Sequence, residues 1–171
     1  MDFRGDYRSI VPFLPTELLS MTQHMAALEL ESIRAAGIGA AIGGRRFLLA
    51  SADTHWYGVH ALKTVLLELG AYVIDLGAEQ DPGQVAAAAE HEGWPAIAVS
   101  AHNGQCLAYG TQLMGLFAEH GVQVPVYIGG KLNAILEGDT GPTDVTQQLR
   151  EIGVVPCGSI TALVEHVAAS R

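Results

Sequence analysis

From Arg45 to the end of the chain, short apolar runs alternate with longer runs whose apolar residues recur every three or four positions. The short runs predict buried strands, and the longer runs predict amphipathic helices. Repeated strand–helix units imply an α/β fold with a parallel sheet and helices on both of its faces. Five such units favour a flavodoxin-like (Rossmann-like) five-stranded sheet with strand order 2-1-3-4-5.

The predicted strands cover residues 47–50, 72–76, 96–99, 124–128 and 154–155. The third run is wholly apolar, which is typical of a strand at the centre of a parallel sheet. Pro125 cannot donate to a sheet ladder, so it must lie at the start of the fourth strand. We expect helices after each strand, including one opened by Thr143-Asp144-Val145 that ends at Glu151-Ile152-Gly153.

Residues 1–44 form an N-terminal extension in this interpretation, and residues 45–171 form the domain. The extension would consist of an irregular arm, a helix from Pro15 to about Ala36-Gly37, and a flexible glycine-rich linker over residues 38–44. One apolar stripe runs along the helix at spacings of three and four: Leu14, Leu18, Met21, Met25 and Leu28. The helix would pack on the domain or on a second copy, giving a homodimer, or it would dock a partner subunit.

Composition narrows the class of protein. The 171 residues suit one domain with its own core. The net charge of −9 with scattered basic residues argues against a nucleic-acid partner. No apolar run approaches the roughly 20 residues of a membrane span, and the polar first residues do not predict a signal peptide. Cys106 and Cys157 form no Cys-x-x-Cys motif, so we expect a cytoplasmic protein with reduced thiols.

Polar and glycine residues follow three of the predicted strands, at residues 53–58, 100–104 and 129–130. In the strand order 2-1-3-4-5 these three ends lie side by side, where open parallel sheets bind ligands. Asp53 lies two residues before His55. A carboxylate that holds one ring nitrogen of a histidine leaves the other free to bind a metal. Gly58 would let the backbone approach a large flat ligand.

The three stretches resemble, in order and position, the signature of cobalamin-binding domains. Asp53-Thr54-His55-Trp56-Tyr57-Gly58 matches Asp-x-His-x-x-Gly, Ser100-Ala101-His102 stands where the family has Ser-x-Leu, and Gly129-Gly130 matches its Gly-Gly. The resemblance extends from about Arg46 to the C-terminus. The resemblance is strongest to the small cobalamin-binding subunit of glutamate mutase (methylaspartate mutase). Gly104-Gln105, just after the serine stretch, is also similar to that subunit.

This resemblance implies roles for individual residues. His55 would be the lower axial ligand of cobalt, and Asp53 would orient it. Ser100 would hydrogen-bond the buried nucleotide tail of the cofactor, and Gly129 and Gly130 would leave room for that tail. His102 replaces the usual Leu and would either hydrogen-bond the corrin amides or a partner, or be a solvated loop residue. The predicted cofactor contacts are completed by Thr54, Trp56, Tyr57, Gly58 and Gly104.

The resemblance also implies a function. The chain would be the cofactor-binding component of an adenosylcobalamin-dependent carbon-skeleton mutase, an isomerase whose substrate binds in a barrel-type partner subunit, and it would not be active alone. One alternative is a corrinoid methyl-carrier protein with methylcobalamin, although such carriers usually have several helices before this domain. The other is a non-catalytic cobalamin-binding module. Asn103, where the mutase subunit has an aromatic residue, weakens the assignment to that mutase.

Overall fold

The computed structural model describes residues 16–170 except Trp94 and Asp139. The helices are α1 (Thr16–Ala35), α2 (Tyr57–Glu68), α3 (Pro82–His91), α4 (Cys106–Glu119), α5 (Thr146–Glu151) and α6 (Ile160–Ala169). The strands are β1 (Arg46–Ser51), β2 (Tyr72–Asp75), β3 (Ala96–Ala101), β4 (Val126–Gly130), β5 (Asn133–Ala134), β6 (Thr143–Asp144) and β7 (Val155–Cys157). The predicted irregular arm lies outside the described residues.

The main sheet is parallel and has the order β2-β1-β3-β4-β7, which confirms the predicted flavodoxin-like topology. Ser51 pairs with Ser100 between β1 and β3, and Ser100 pairs with Gly129 between β3 and β4. This register aligns the ends of the three strands along one edge of the sheet. The stretches that follow them are therefore neighbours, as the sequence predicts.

Side chains that alternate along the strands build a core on each face of the sheet. Leu48 belongs to the core under α3, α4 and α5, whereas Phe47 and Leu49 belong to the core under α1, α2 and α6. Residues 97–101 of the central strand β3 are all buried. Burying a large apolar side chain contributes roughly 1.5–3 kcal/mol, so both helical layers are held firmly on the sheet.

One predicted helix start is wrong. Thr143 and Asp144 do not open a helix but form β6, which pairs antiparallel with β5 in a small ribbon. Helix α5 begins only at Thr146, whose backbone N–H donates to the Asp144 carboxylate at 2.9 Å. A two-residue strand has no period that a sequence pattern could reveal, because its pairing depends on a distant segment.

Helix α1 exists where the sequence predicts it, but it buries a different face. Met21 is 67% exposed and Leu28 is 51% exposed, so these members of the predicted apolar stripe face outward, whereas Met25 borders a cavity described below. The buried face consists of Thr22, Ala26, Leu30 and Ile33, and α1 packs on both α2 and α6. Two stripes of suitable spacing coexist on this helix, and the shape of the surface beneath it selects one. Leu14 lies outside the described residues.

The flexible linker predicted over residues 38–44 is instead an ordered turn. A short 3₁₀ helix spans Gly39–Ala41, and both Ala41 and Ile42 are buried. The Gly44 N–H donates to the Gly70 carbonyl at 2.9 Å, which ties the segment to the end of α2. The position of the domain boundary between residues 44 and 45 stays a prediction. No helix among the described residues has the length and apolar character needed to cross a membrane.

Candidate functional site

The loop after β1 is shaped by its own side chains. The Ser51 hydroxyl lies 2.9 Å from the Asp53 carbonyl oxygen and 3.2 Å from that of His55, and it donates to these oxygens. The His55 backbone N–H donates to Asp53 Oδ1 at 2.8 Å. This side-chain-to-backbone turn holds the loop at the edge of the sheet and places the imidazole beside the carboxylate.

The Asp53–His55 pair has the geometry that the sequence predicts. Nδ1 of His55 lies 2.9 Å from Asp53 Oδ1. Because an ionised carboxylate only accepts, Nδ1 carries a proton, and in the neutral ring Nε2 is the nitrogen with the lone pair. The Asp53 side chain is 6% exposed, whereas the His55 side chain is 41% exposed. The arrangement therefore offers one oriented imidazole nitrogen at an accessible position.

Asp53 also binds the loop after β3. Its Oδ2 accepts a hydrogen bond of 2.7 Å from the His102 backbone N–H. Burial raises the pKa of the Asp53 carboxyl, but the hydrogen bonds from the His102 and His55 N–H groups and from the His55 ring outweigh this effect. The pKa consequently lies below its usual value, so Asp53 is ionised at neutral pH and can hold the imidazole.

A cavity of about 210 Å³ opens between α2 and α6 and is called the α2/α6 cavity below. Its floor is formed by β3, β4 and β7. The structure brings six of the predicted site residues together in its wall: Tyr57, Gly58, Ser100, His102, Gly129 and Gly130. The buried Ser100 is the polar side chain of β3 in this wall, so a ligand group in the cavity would find a hydroxyl within the sheet edge.

His102 is half-buried and lies at the cavity wall, in the loop after β3. Its ring centroid is 5.5 Å from that of His55 and 5.5 Å from that of Tyr57. Ser100 Oγ lies 3.4 Å from its Nδ1. Burial lowers the pKa of His102, although the nearby Asp53 carboxylate acts in the opposite direction. A neutral imidazole thus borders the cavity next to His55.

Glycine occupies the positions of this site for different physical reasons. A Cβ atom at Gly58 would lie 3.1 Å from Ser100 Oγ, and one at Gly129 would lie 3.1 Å from the Cys157 carbonyl oxygen. Gly130 has φ +102°, and a Cβ there would lie 2.3 Å from the Ala101 carbonyl oxygen. The neighbouring strand therefore already requires glycine at position 130, whatever ligand the cavity takes.

The remaining predicted residues lie elsewhere on this edge. Asp53 and Thr54 border a second cavity of about 460 Å³, on the α3/α4 side of the sheet. Trp56 lies against His60, with ring centroids 5.7 Å apart. Gly104 has φ +69° and lies near Asn133 in the β5–β6 ribbon. Contact of these residues with a cofactor stays a prediction.

Sequence reasoning missed about two thirds of the residues in the α2/α6 cavity wall. The missed residues that bear on its chemistry are Met25, Glu29, Tyr127, Cys157 and Ser159. Ser159 could have been found as the N-cap of α6, because its hydroxyl accepts from the Ala162 N–H at 3.0 Å. Burial raises the pKa of the Cys157 thiol to about 12, so it is an inert wall residue. Nothing local marks Met25 or Glu29, since their contribution depends on where α1 packs.

Comparison with known proteins supports the fold. No model of a known protein family matches this sequence, and no curated protein matches it. A crystal structure of a novel cobalamin-binding protein from Desulfitobacterium hafniense DCB-2 matches with a TM-score of 0.60 and 15% identity, over 87% of this chain and 78% of that chain. The chain therefore shares its fold with that protein.

A second solved structure agrees with the first. The methanol:cobalamin methyltransferase complex MtaBC from Methanosarcina barkeri matches with a TM-score of 0.56 and 20% identity. The match covers 74% of this chain and 47% of that chain, so it spans about half of the matched protein. At these identities the likeness concerns the fold, and the roles of individual residues depend on the geometry described above.

Proposed function

We propose that this chain binds cobalamin, with His55 as the lower axial ligand of cobalt and the nucleotide tail of the cofactor in the α2/α6 cavity. The observation that carries the proposal is the Asp53–His55 pair after β1, whose imidazole ring centroid lies 5.5 Å from that of His102 in the wall of that cavity. The edge is the one at which parallel α/β sheets bind ligands.

The donor set fits a metal that is already held by a macrocycle. Among the described residues, no group of three or more His, Cys, Asp or Glu side chains could hold a metal ion by itself. Cobalt in a corrin ring needs one protein nitrogen, and His55 offers one whose other ring nitrogen is bound to a carboxylate. Such a carboxylate fixes the tautomer and raises the basicity of the ligand.

The cavity fits an aromatic base with a polar edge. Its wall combines apolar side chains such as Leu62 and Leu163 with the Ser100 hydroxyl. Ser100 would donate a hydrogen bond to the tail or accept one from it. Gly58 and Gly129 have no side chain that would reduce the space beside it. When bound, the cofactor would supply a reactive cobalt–carbon bond, while the chain supplies placement and the electronic effect of the axial ligand.

We further propose that the chain is the cofactor-binding component of an adenosylcobalamin-dependent carbon-skeleton mutase of the glutamate mutase type. Gly104-Gln105 after the Ser100 stretch and the order of the three motifs support this assignment. The His55 side chain is 41% exposed, so a cofactor bound to it would lie at the surface of the chain. Reactive intermediates need protection from water, so a barrel-type partner with the substrate site would cover this surface.

A corrinoid methyl carrier is the second candidate. The matched structure of MtaBC belongs to a methanol:cobalamin methyltransferase complex, and its fold likeness favours this alternative. Both candidates share the site at His55 and differ in the upper ligand of cobalt. A carrier would hold methylcobalamin and would dock methyltransferases in place of a barrel mutase subunit.

Spectroscopy with the purified chain tests the shared proposal. Added cobalamin should bind with its own tail base off cobalt, and the cobalt(II) form should show coupling to one nitrogen in electron paramagnetic resonance. Labelling histidine with nitrogen-15 should change that coupling. An unchanged spectrum would exclude a histidine ligand. Chromatography of the cofactor that copurifies from the native host separates the candidates, since adenosylcobalamin indicates the mutase and methylcobalamin the carrier.

A further inference from the structure

Helix α1 closes the outer side of the α2/α6 cavity. It packs against both of these helices, and its Met25 and Glu29 are part of the cavity wall. On the same helix Ala26 and Ile33 are buried in the core shared with α2 and α6. The cavity thus has the sheet as its floor, α2 and α6 as its sides, and α1 across the gap between them.

Glu29 fastens this wall to the first turn of α6. Its carboxylate accepts hydrogen bonds from the Ile160 N–H at 3.3 Å and the Thr161 N–H at 2.8 Å. The Thr161 hydroxyl donates to the same carboxylate at 2.5 Å. The first N–H groups of a helix have no partner within the helix, and a carboxylate is stabilised at this positive end. Glu29 therefore joins two helices whose contacting residues are 131 and 132 positions apart.

This contact also decides what the start of α6 can bind. Ser159 Oγ accepts from the Ala162 N–H at 3.0 Å, so the N–H groups of residues 160 to 162 are all occupied by side chains. A free helix N-terminus would suit the phosphate of a nucleotide tail. In this chain the Glu29 carboxylate already occupies the N-terminus of α6. Any effect of that N-terminus on a ligand would therefore depend on the position of α1.

We propose that Glu29 is a positioning residue for the nucleotide tail, because it holds α1 against α6 as the outer wall of the tail-binding cavity. The inference rests on the proposed function. It makes α1 part of the corrinoid site and assigns the helix a role inside its own chain. A corrinoid that lacks the nucleotide tail has no group in this cavity, so the integrity of the wall should not affect its affinity.

Two corrinoids and three variants test the inference. The probes are cobalamin and cobinamide, which has the corrin ring without the nucleotide tail, and each is titrated spectrophotometrically into the full chain. Glu29→Ala should lower the affinity for cobalamin by about tenfold or more, the range expected when hydrogen bonds to a charged group are lost. Its affinity for cobinamide should stay that of the wild type. Glu31→Ala removes an exposed acidic residue of the same helix and should change neither affinity.

Glu29→Gln guards against a folding defect, since it keeps the side-chain length and one accepting oxygen. It should show a smaller selective loss, and it carries the test if circular dichroism shows Glu29→Ala to be unfolded. Equal losses for both corrinoids, or no loss for either, would overturn the role of Glu29. If the wild type binds both corrinoids equally well, the tail contributes nothing and the inference fails while cobalamin binding stands. If it binds neither, the proposed function itself is wrong.

Discussion

Asp53 and His102 are 49 residues apart, yet Asp53 Oδ2 accepts the His102 backbone N–H at 2.7 Å. The other oxygen of the same carboxylate accepts from the backbone and from the ring of His55. One buried side chain therefore fixes the loop after β1, the loop after β3 and the orientation of the candidate metal ligand. A change at this residue should affect ligand binding and the two loops together.

Asp53→Asn should weaken cobalamin binding by roughly 10–100-fold, the usual effect of removing a carboxylate behind a metal-bound histidine. The amide group of Asn presents N–H donors to a site in which all three partners donate. Spectrophotometric titration measures the affinity. Asp75→Asn is the matched control, because Asp75 bonds Lys63 and the Gly77 N–H at the sheet edge. An unchanged affinity for cobalamin in Asp53→Asn would show that Asp53 does not contribute to cobalamin binding.

Asp53 should also contribute to acid stability. Its pKa is lower in the folded chain than its ordinary value, so the unfolded chain binds more protons at acidic pH. The stabilising contribution is complete above the unfolded pKa of about 3.9 and is lost as the pH falls through the folded value. Urea unfolding between about pH 2 and pH 5 should show a shallower acid-side loss of unfolding free energy in Asp53→Asn than in the wild type. The same pH dependence of the unfolding free energy in both proteins would contradict this expectation.

His55→Ala should abolish the histidine nitrogen coupling in the cobalt(II) spectrum while leaving much of the tail binding in the α2/α6 cavity. The reason is that the ligand nitrogen and the cavity belong to separate parts of the site. His60→Ala is the control, since His60 lies one turn along α2 against Trp56. Persistence of the coupling in His55→Ala would assign the ligand to another histidine, with His102 the neighbour at 5.5 Å between ring centroids.

Two glycine substitutions should separate binding from folding. Gly58→Ala adds a methyl group 3.1 Å from Ser100 Oγ at the cavity wall, and misfit of this kind costs about 1–3 kcal/mol. We expect weaker cobalamin binding with only a small loss of stability, because the roughly 1 kcal/mol by which alanine is favoured over glycine in helix α2 offsets part of that cost. Gly130→Ala places Cβ 2.3 Å from a backbone oxygen at φ +102°, so its thermal midpoint should fall. The expected separation of binding from folding would be contradicted if Gly58→Ala is unfolded, or if Gly130→Ala has the thermal midpoint of the wild type.

The mutase assignment predicts a chain that is inactive alone. Purified with adenosylcobalamin, it should bind the cofactor and show no glutamate-to-methylaspartate turnover. Adding a barrel-type subunit from the same organism should restore turnover, since the upper face of the cofactor then has a cover that excludes water. A coupled assay with and without the partner measures this. Turnover by the chain alone, at the rate of the mixture, would overturn the assignment.

The sequence by itself determined the strand order and the edge at which the site lies. Strand–helix alternation depends on local periodicity, and the parallel connection of such units permits few topologies. The Asp53–His55 contact was also predictable, because two residues separated by one position in a tight turn interact locally. The side-by-side placement of Ser100 and Gly129 followed from the strand order.

Only the tertiary structure decided which face of α1 is buried, that residues 38–44 are ordered, and that Glu29 reaches the first turn of α6. It also decided that Asp53 holds His102 and that Gly130 is required by the carbonyl of Ala101. These features join segments that are far apart in the chain. Their energies depend on the shape of the packed surfaces, and no local period or motif in the sequence carries that information.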